Sequence, residues 1–402
     1  MEPEKPPHGR RAVISVLGLA QILAWGTSFY FPAVFAEPIV KETGWSLGMV
    51  VSGTTIGLLV AGLVSPQVGR LIATRGARPV MLASPLLYAA GLAGIGLSPA
   101  LPVYFASWLV LGLGMGSGLY DAVFAALGRI YGREARAPIT NLTLFGGFAS
   151  TICWPLSAFM IEHIGWRDAC FVYAGLHLLV SLPLQAAVLP RQATQSAKQM
   201  MPDSDAARPV RRLRSEAAVV ALLASVMSLT AGVGAVVVVQ LLIILQARGV
   251  DYATAVALGT LFGPAQVAAR LGERLFGSRY HPIWTLLVSC ALMAAGLLLL
   301  SGGFGLLVVT IVLYGAGYGV SWVARGTLPL ALFGPVRFPR LMGKLAFPSL
   351  VVQALAPSAG ALLLERSGIG ITLAVLTALA LVNLLFVVVL ALMCRRQFVM
   401  AT

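Results

Sequence analysis

Apolar stretches of about 20 residues, the length of helix that crosses a hydrocarbon core, recur along the whole of this chain. Water cannot solvate such segments. In lipid every backbone amide must find its partner within the protein, which leaves helices or a closed barrel. A barrel strand would alternate polar and apolar positions over about 10 residues, and no such alternation is present. The expected fold class is therefore all-α membrane protein. Composition agrees, since only 10% of the 402 residues are charged, 58% are hydrophobic and the mean hydropathy is +0.90. That is too little charge to cover a water-facing globular surface.

The pattern predicts twelve transmembrane helices. Six lie near 12–36, 46–68, 79–98, 102–127, 138–161 and 169–189; six more lie near 217–246, 253–276, 283–301, 304–332, 342–364 and 370–393. The longest polar segment, 190–216, carries Arg191, Lys198, Arg208, Arg211, Arg212 and Arg214 and reads as a basic linker between a bundle over 12–189 and a second over 217–393. Tails of 1–11 and 394–402 complete the layout. Basic residues concentrate in alternate loops: Lys5, Arg10 and Arg11; Arg70, Arg75 and Arg78; Arg129, Arg133 and Arg136; the linker; Arg274 and Arg279; Arg337, Arg340 and Lys344; Arg395 and Arg396. Positive residues are retained on the cytoplasmic side, so both termini are expected there, which requires an even number of spans. The net charge of +14 does not indicate nucleic acid, because the basic residues sit between apolar runs and not on one solvated face. Cys153, Cys170, Cys290 and Cys394 have neither metal-ligand nor disulfide spacing and read as packing residues. No cleavage site follows the basic start, so the first helix is expected to be retained. No metal or cofactor is expected.

The loop after the second predicted helix reads Gly69-Arg70-Leu71-Ile72-Ala73-Thr74-Arg75-Gly76-Ala77-Arg78. It resembles the glycine- and arginine-rich gating signature of the major facilitator superfamily, with Gly69, Arg70, Arg75, Gly76 and Arg78 in place and Ala73 where the signature's acidic residue stands. Gly165-Trp166-Arg167 and Gly277-Ser278-Arg279 are similar to further marks of that family. The resemblance implies two pseudo-symmetric six-helix bundles with a substrate site between them near the midplane, exposed alternately to either side. It also implies a monomer, and a cavity lined by helices one, two, four, five, seven, eight, ten and eleven. Gln266-Val267-Ala268-Ala269-Arg270 is similar to the eighth helix of monocarboxylate-type porters, whose arginine pairs with the substrate carboxylate. The run from Phe29 through Pro38 to Gly44-Trp45-Ser46 resembles the first loop of that branch.

A charge near the bilayer centre costs about 2.5–3.5 kcal/mol on insertion scales, so charges kept there are functional candidates. Arg270 shares a helical face with Gly259, Gly263, Gln266 and Glu273. Its planar guanidinium can grip a carboxylate with two parallel hydrogen bonds; the competing reading is a structural pair with Glu273, which is itself a candidate for proton coupling. Arg325 ends a stripe of Tyr314, Tyr318 and Ser321, and is either a second anion anchor or a side chain snorkelling to headgroups. Asp121 is the first half's one acid within a predicted span; it either exchanges a proton as the cavity alternates between wet and dry, or neutralises Arg325 or Arg129. Gln21, Trp25 and Tyr30, with Ser28 and Pro32, offer hydrogen bonds and an aromatic wall. His177 and the run Gly112, Gly114, Gly116, Gly118 read as packing elements.

These features together predict no enzyme: no catalytic cluster lies at depth, and no ATP-binding lysine motif is present. They predict a secondary transporter of a small organic anion in the inner membrane, coupled to protons as a symporter, with lipid and a small molecule as its partners. The alternative is proton-driven efflux of drug-like compounds or other small metabolites, against which stand Trp108 and the separation of Gly146-Gly147 from Pro155, where drug antiporters of this superfamily carry an arginine and a Gly-Pro motif. A sensor would need an output domain that tails of this length do not supply.

Overall fold

The computed structural model describes residues 9–191, 216–303 and 305–398; the first eight residues, most of the basic linker and the last four residues lie outside the described part. Every regular element described is helical. Contacts divide the chain into two compact units, one holding the N-terminal half with residues 333–347, the other the rest of the C-terminal half.

The first unit is built from α1 (Arg10–Gly26), α2 (Pro32–Thr43), α3 (Leu47–Arg75), α4 (Ala77–Leu97), α5 (Leu101–Gly118), α6 (Tyr120–Tyr131), α7 (Arg136–Gly146), α8 (Ala149–Leu176), a π-helical turn His177–Ser181 and α9 (Leu182–Val188). The sequence predicts one helix over 12–36, yet the chain leaves the helix between α1 and α2. Thr27 and Ser28 donate their hydroxyls to the carbonyls of Leu23 and Ala24 at 2.7 and 2.5 Å, offering the backbone an alternative to continuation, and Pro32 opens the next helix. The predicted helix 102–127 also breaks, at Leu119, whose ψ of 178° is extended. Gln21 Nε2 donates to the Gly118 carbonyl at this break, at 2.5 Å. α8 runs through what the hydropathy pattern divides into two helices, but Gly165 (φ 79°, ψ 163°) interrupts it in a conformation only glycine adopts freely.

Glycines also set how closely the helices pack. A Cβ on Gly112 would fall 2.7 Å from the Gly57 carbonyl, and one on Gly116 2.5 Å from Val64, so the run along α5 lets α3 approach at backbone distance, as expected for small residues between membrane helices. Trp108 is wholly buried and meets Phe31 edge-on at 5.7 Å. At the other end of the unit Arg167 donates to Glu42 at 2.8 Å and to the carbonyls of Gly96 and Ser98, and Trp166 Nε1 donates to Glu42 at 2.6 Å. The Gly165-Trp166-Arg167 motif is thus a clasp on α2 and on the end of α4.

The second unit contains α10 (Glu216–Ala247), α11 (Tyr252–Thr260), α12 (Phe262–Phe276), α13 (Pro282–Gly302) and, apart from residues 333–347, α14 (Leu307–Phe398). At 92 residues, α14 is far longer than the roughly 20 residues of one crossing. Gly334 (φ 72°) and Gly368 (φ 75°) lie within it in the left-handed region and divide it at the boundaries that hydropathy predicts. Taken as unbroken runs, six helical stretches among the described residues are long and apolar enough to cross a membrane; Leu101–Val188 and Leu307–Cys394, of 88 residues each, are long enough for several crossings. The predicted helix over 253–276 is interrupted between α11 and α12. All four cysteines are free and buried.

Candidate functional site

In the second unit, two arginines that hydropathy alone would exclude from a membrane core are buried. Arg270 on α12 is 3% exposed. Its Nε donates to the Gly319 carbonyl on α14 at 2.9 Å and its Nη2 to Gln266 Oε1 at 3.2 Å. The approach is possible because position 319 has no side chain: a Cβ there would lie 2.6 Å from the Gln266 Cα. Glu273, one turn further, accepts from the Thr285 hydroxyl at 2.8 Å, so α13 as well as α12 is joined to this polar stripe.

Arg325 on α14 is 6% exposed. Its Nη1 donates to Ser349 Oγ at 2.6 Å, and its guanidinium lies 5.4 Å from the centre of the Trp322 ring, within cation–π range. Arg325, Trp322, Ser321 and Tyr318 line a narrow cavity, with room for about one or two waters in this conformation, whose remaining wall includes Leu223, Val226, Met227 and Leu286. Phe262 stacks near Tyr314 and Tyr318, with ring centres 6.2 and 6.0 Å away. One cation at the edge of a small, mostly apolar cavity offers an anchor for an anion.

The first-unit candidates form a separate aromatic cluster. Trp25 Nε1 donates to Gln21 Oε1 at 3.2 Å; the Trp25 ring lies 6.2 Å from Tyr30 and 5.1 Å from Tyr120, and Tyr30 meets Trp154 edge-on at 5.9 Å. Gln21 therefore spends its amide on the Gly118 carbonyl and on Trp25, a structural use beside any ligand contact. Asp121 is half-buried in the first turn of α6, where the exposed amides of a helix start favour a negative charge.

In the gating motif, Gly69 is buried and faces Pro339 and Gly343, a Cβ there falling 2.5 Å from the Pro339 carbonyl. Gly76 turns the chain from α3 to α4 with φ 90°. Arg70 and Arg75 are exposed, whereas Arg78 donates to the carbonyl of Leu189.

Sequence reasoning did not name Trp322, Gly319 or Ser349. The spacing carried a signal for Trp322, four residues after Tyr318 and three before Arg325. Ser349 reaches Arg325 from 24 residues away, and nothing local announces it.

The Major Facilitator Superfamily matches residues 17–278, more than half of the chain, and the chain belongs to that family of membrane transporters. It is a multi-pass membrane protein that moves small molecules, not an enzyme. Monocarboxylate transporter 3 of Rattus norvegicus is 29% identical over 383 residues, covering 89% of this chain and 75% of the rat protein; the protein of that name from Mus musculus is 26% identical over 382 residues, with the same coverage. Among solved structures, the proton:xylose symporter XylE bound to 6-bromo-6-deoxy-D-glucose superposes with a TM-score of 0.74 at 12% identity over 94% of each chain. The human organic anion transporter MFSD10 superposes with a TM-score of 0.70 at 16% identity, over 95% of this chain and all of that one. The fold is that of the superfamily.

Proposed function

We propose that this transporter carries a small monocarboxylate-like organic anion across the inner membrane by alternating access, as a monomer with both termini cytoplasmic, driven by protons moving with the substrate. The observation that carries the reading is Arg325, buried at the edge of an apolar chamber beside Trp322 and Ser321. A cation there attracts an anion across a medium of low dielectric, while Leu223, Val226 and Leu286 favour a substrate with one charge over one with two. Arg270, four residues after Gln266 as in the monocarboxylate-type porters, is the second anchor, with Tyr318 and Gln266 beside it as substrate contacts of this unit; Gln21, Trp25 and Tyr30 are the substrate contacts proposed in the first unit. Asp121 and Glu273 are the carboxylates proposed to exchange the proton. The glycine- and arginine-rich loop is proposed as the gate.

Flux of labelled carboxylates, phosphates and lipophilic cations into proteoliposomes tests this, with and without an imposed pH gradient. The expected outcome is saturable uptake of one or more monocarboxylates that an inward proton gradient accelerates. In Arg325→Gln the loss of one charge-assisted hydrogen bond, about 1.5–3 kcal/mol, should raise the half-saturating concentration roughly 10- to 100-fold. Transport of lipophilic cations alone, unchanged in Arg325→Gln, would replace this reading with drug efflux.

A further inference from the structure

Inside the first unit lies a second cavity, which shares only Gln21 with the proposed substrate-binding residues. Gln21, Ser84, Tyr88, His177, Ser181 and Gln185 give it its polar lining, and α1, α4 and the π-helical turn meet there. His177 is 1% exposed, and its ring lies flat on that of Tyr88, with centres 4.8 Å apart and planes 7° apart. Thr27 Oγ1 stands 3.0 Å from His177 Nε2.

The hydrogen-bond pattern fixes the protonation of this ring. The single proton of the Thr27 hydroxyl is donated to the Leu23 carbonyl at 2.7 Å, so Thr27 can only accept from the histidine. Nε2 therefore carries the hydrogen, and Nδ1 of the neutral ring is a lone pair. That atom is buried and no hydrogen bond reaches it among the described residues. A buried acceptor left without a donor is costly, yet the cavity beside the ring offers hydroxyls and amides at its edge. It has space for about one water, which is too little for any organic substrate. A π-helical turn places its widened backbone at the same point, a feature that recurs at functional positions in helices.

We propose that this cavity is a binding site for a single water molecule that donates a hydrogen bond to Nδ1 of His177 and joins α1, α4 and the π-helical turn through the polar groups around it. The site is independent of the anion reading, since the groups that define the acceptor, His177, Thr27 and the Leu23 carbonyl, are not among the residues proposed to bind the substrate or the proton.

The test uses the full chain, labelled with ¹⁵N-histidine and reconstituted in lipid nanodiscs. His177 is one of four histidines, and its signals are assigned by their loss in His177→Gln. The expected spectrum has Nε2 protonated, Nδ1 unprotonated and shifted as a hydrogen-bond acceptor, and a magnetisation-transfer peak between Nδ1 and bound water. In Ala20→Val, whose added methyls enter the cavity, that peak should disappear while the Nε2 signal persists. A protonated Nδ1, or no water peak in the unaltered protein, overturns the proposal, as does a peak that survives in a folded Ala20→Val. If Ala20→Val fails to fold, the spectrum of the unaltered protein decides by itself.

Discussion

Gln21 shows how one polar side chain in a membrane helix can hold a non-helical backbone in place. Its amide nitrogen reaches the Gly118 carbonyl at the interruption between α5 and α6 while its oxygen accepts from Trp25. In lipid no solvent stands ready to replace either bond. Gln21→Leu removes both and leaves a buried carbonyl and a buried indole N–H, each costing about 1–3 kcal/mol. A lowered unfolding temperature is expected in detergent, with Gln21→Glu less affected because one acceptor remains; equal stability of Gln21→Leu and the unaltered protein would contradict this. At this scale the sequence was legible in part. Buried Arg270 and Arg325 stood out because charge is rare in such segments, and the polar stripes containing them follow from helical spacing. Their partners did not stand out, because the Gly319 carbonyl and Ser349 are brought close by packing between distant segments.

Among the elements, α1, α5 and α11 each end short of the span that hydropathy assigns. Apolar content reports burial in lipid, which continuous and interrupted helices share, so it says nothing about where the backbone departs from the helix. The clues were local: Thr27-Ser28 before Pro32, Gly118 before Leu119, and Gly263-Pro264 after Leu261. The contact between α12 and α14 shows what a single Cβ can do. Gly319→Ala would place a carbon 2.6 Å from one backbone atom of Gln266 and 2.7 Å from another, and backbone cannot turn aside as a side chain can. Overpacking of this kind costs about 1–3 kcal/mol. It should also pull the Gly319 carbonyl from Arg270, so reduced thermal stability and impaired transport are expected to appear together; a loss of transport at full stability would point to a different cause.

The start of α11 carries an acid-sensitive contact. Thr254, through its hydroxyl and then its amide, hydrogen-bonds to the exposed Asp251 carboxylate and holds its pKa below the ordinary value of about 3.9. A depressed value means that the cap contributes its stability above the ordinary carboxylate range and loses it as the pH falls through the lowered pKa. The protection factor of the Thr254 amide, its exchange rate relative to the intrinsic rate at each pH, should therefore fall at acid pH in the unaltered protein. In Asp251→Ala that protection should already be low near neutrality, and an acid-dependent loss of protection that persisted in this variant would assign it to another group.

For the molecule as a whole, the class of fold was legible because periodic apolar runs leave a membrane protein few alternatives. What the chain would do with its small residues was harder to foresee. Gly69 belongs to a motif read as a gate, and its buried face packs on Pro339 and Gly343, far along the sequence; no local property of either segment marks that partnership. The thiols present the opposite case, since their apolar neighbourhoods alone announce that they are inaccessible. Cys153, Cys170, Cys290 and Cys394 are each no more than 1% exposed and unpaired, and a buried thiol in apolar surroundings is inert to polar reagents. In this conformation the chain is thus its own cysteine-silent background: a maleimide probe is expected to label only a cysteine introduced at a chosen position, and any labelling of the unaltered protein during turnover would itself report movement of the helices that bury these thiols.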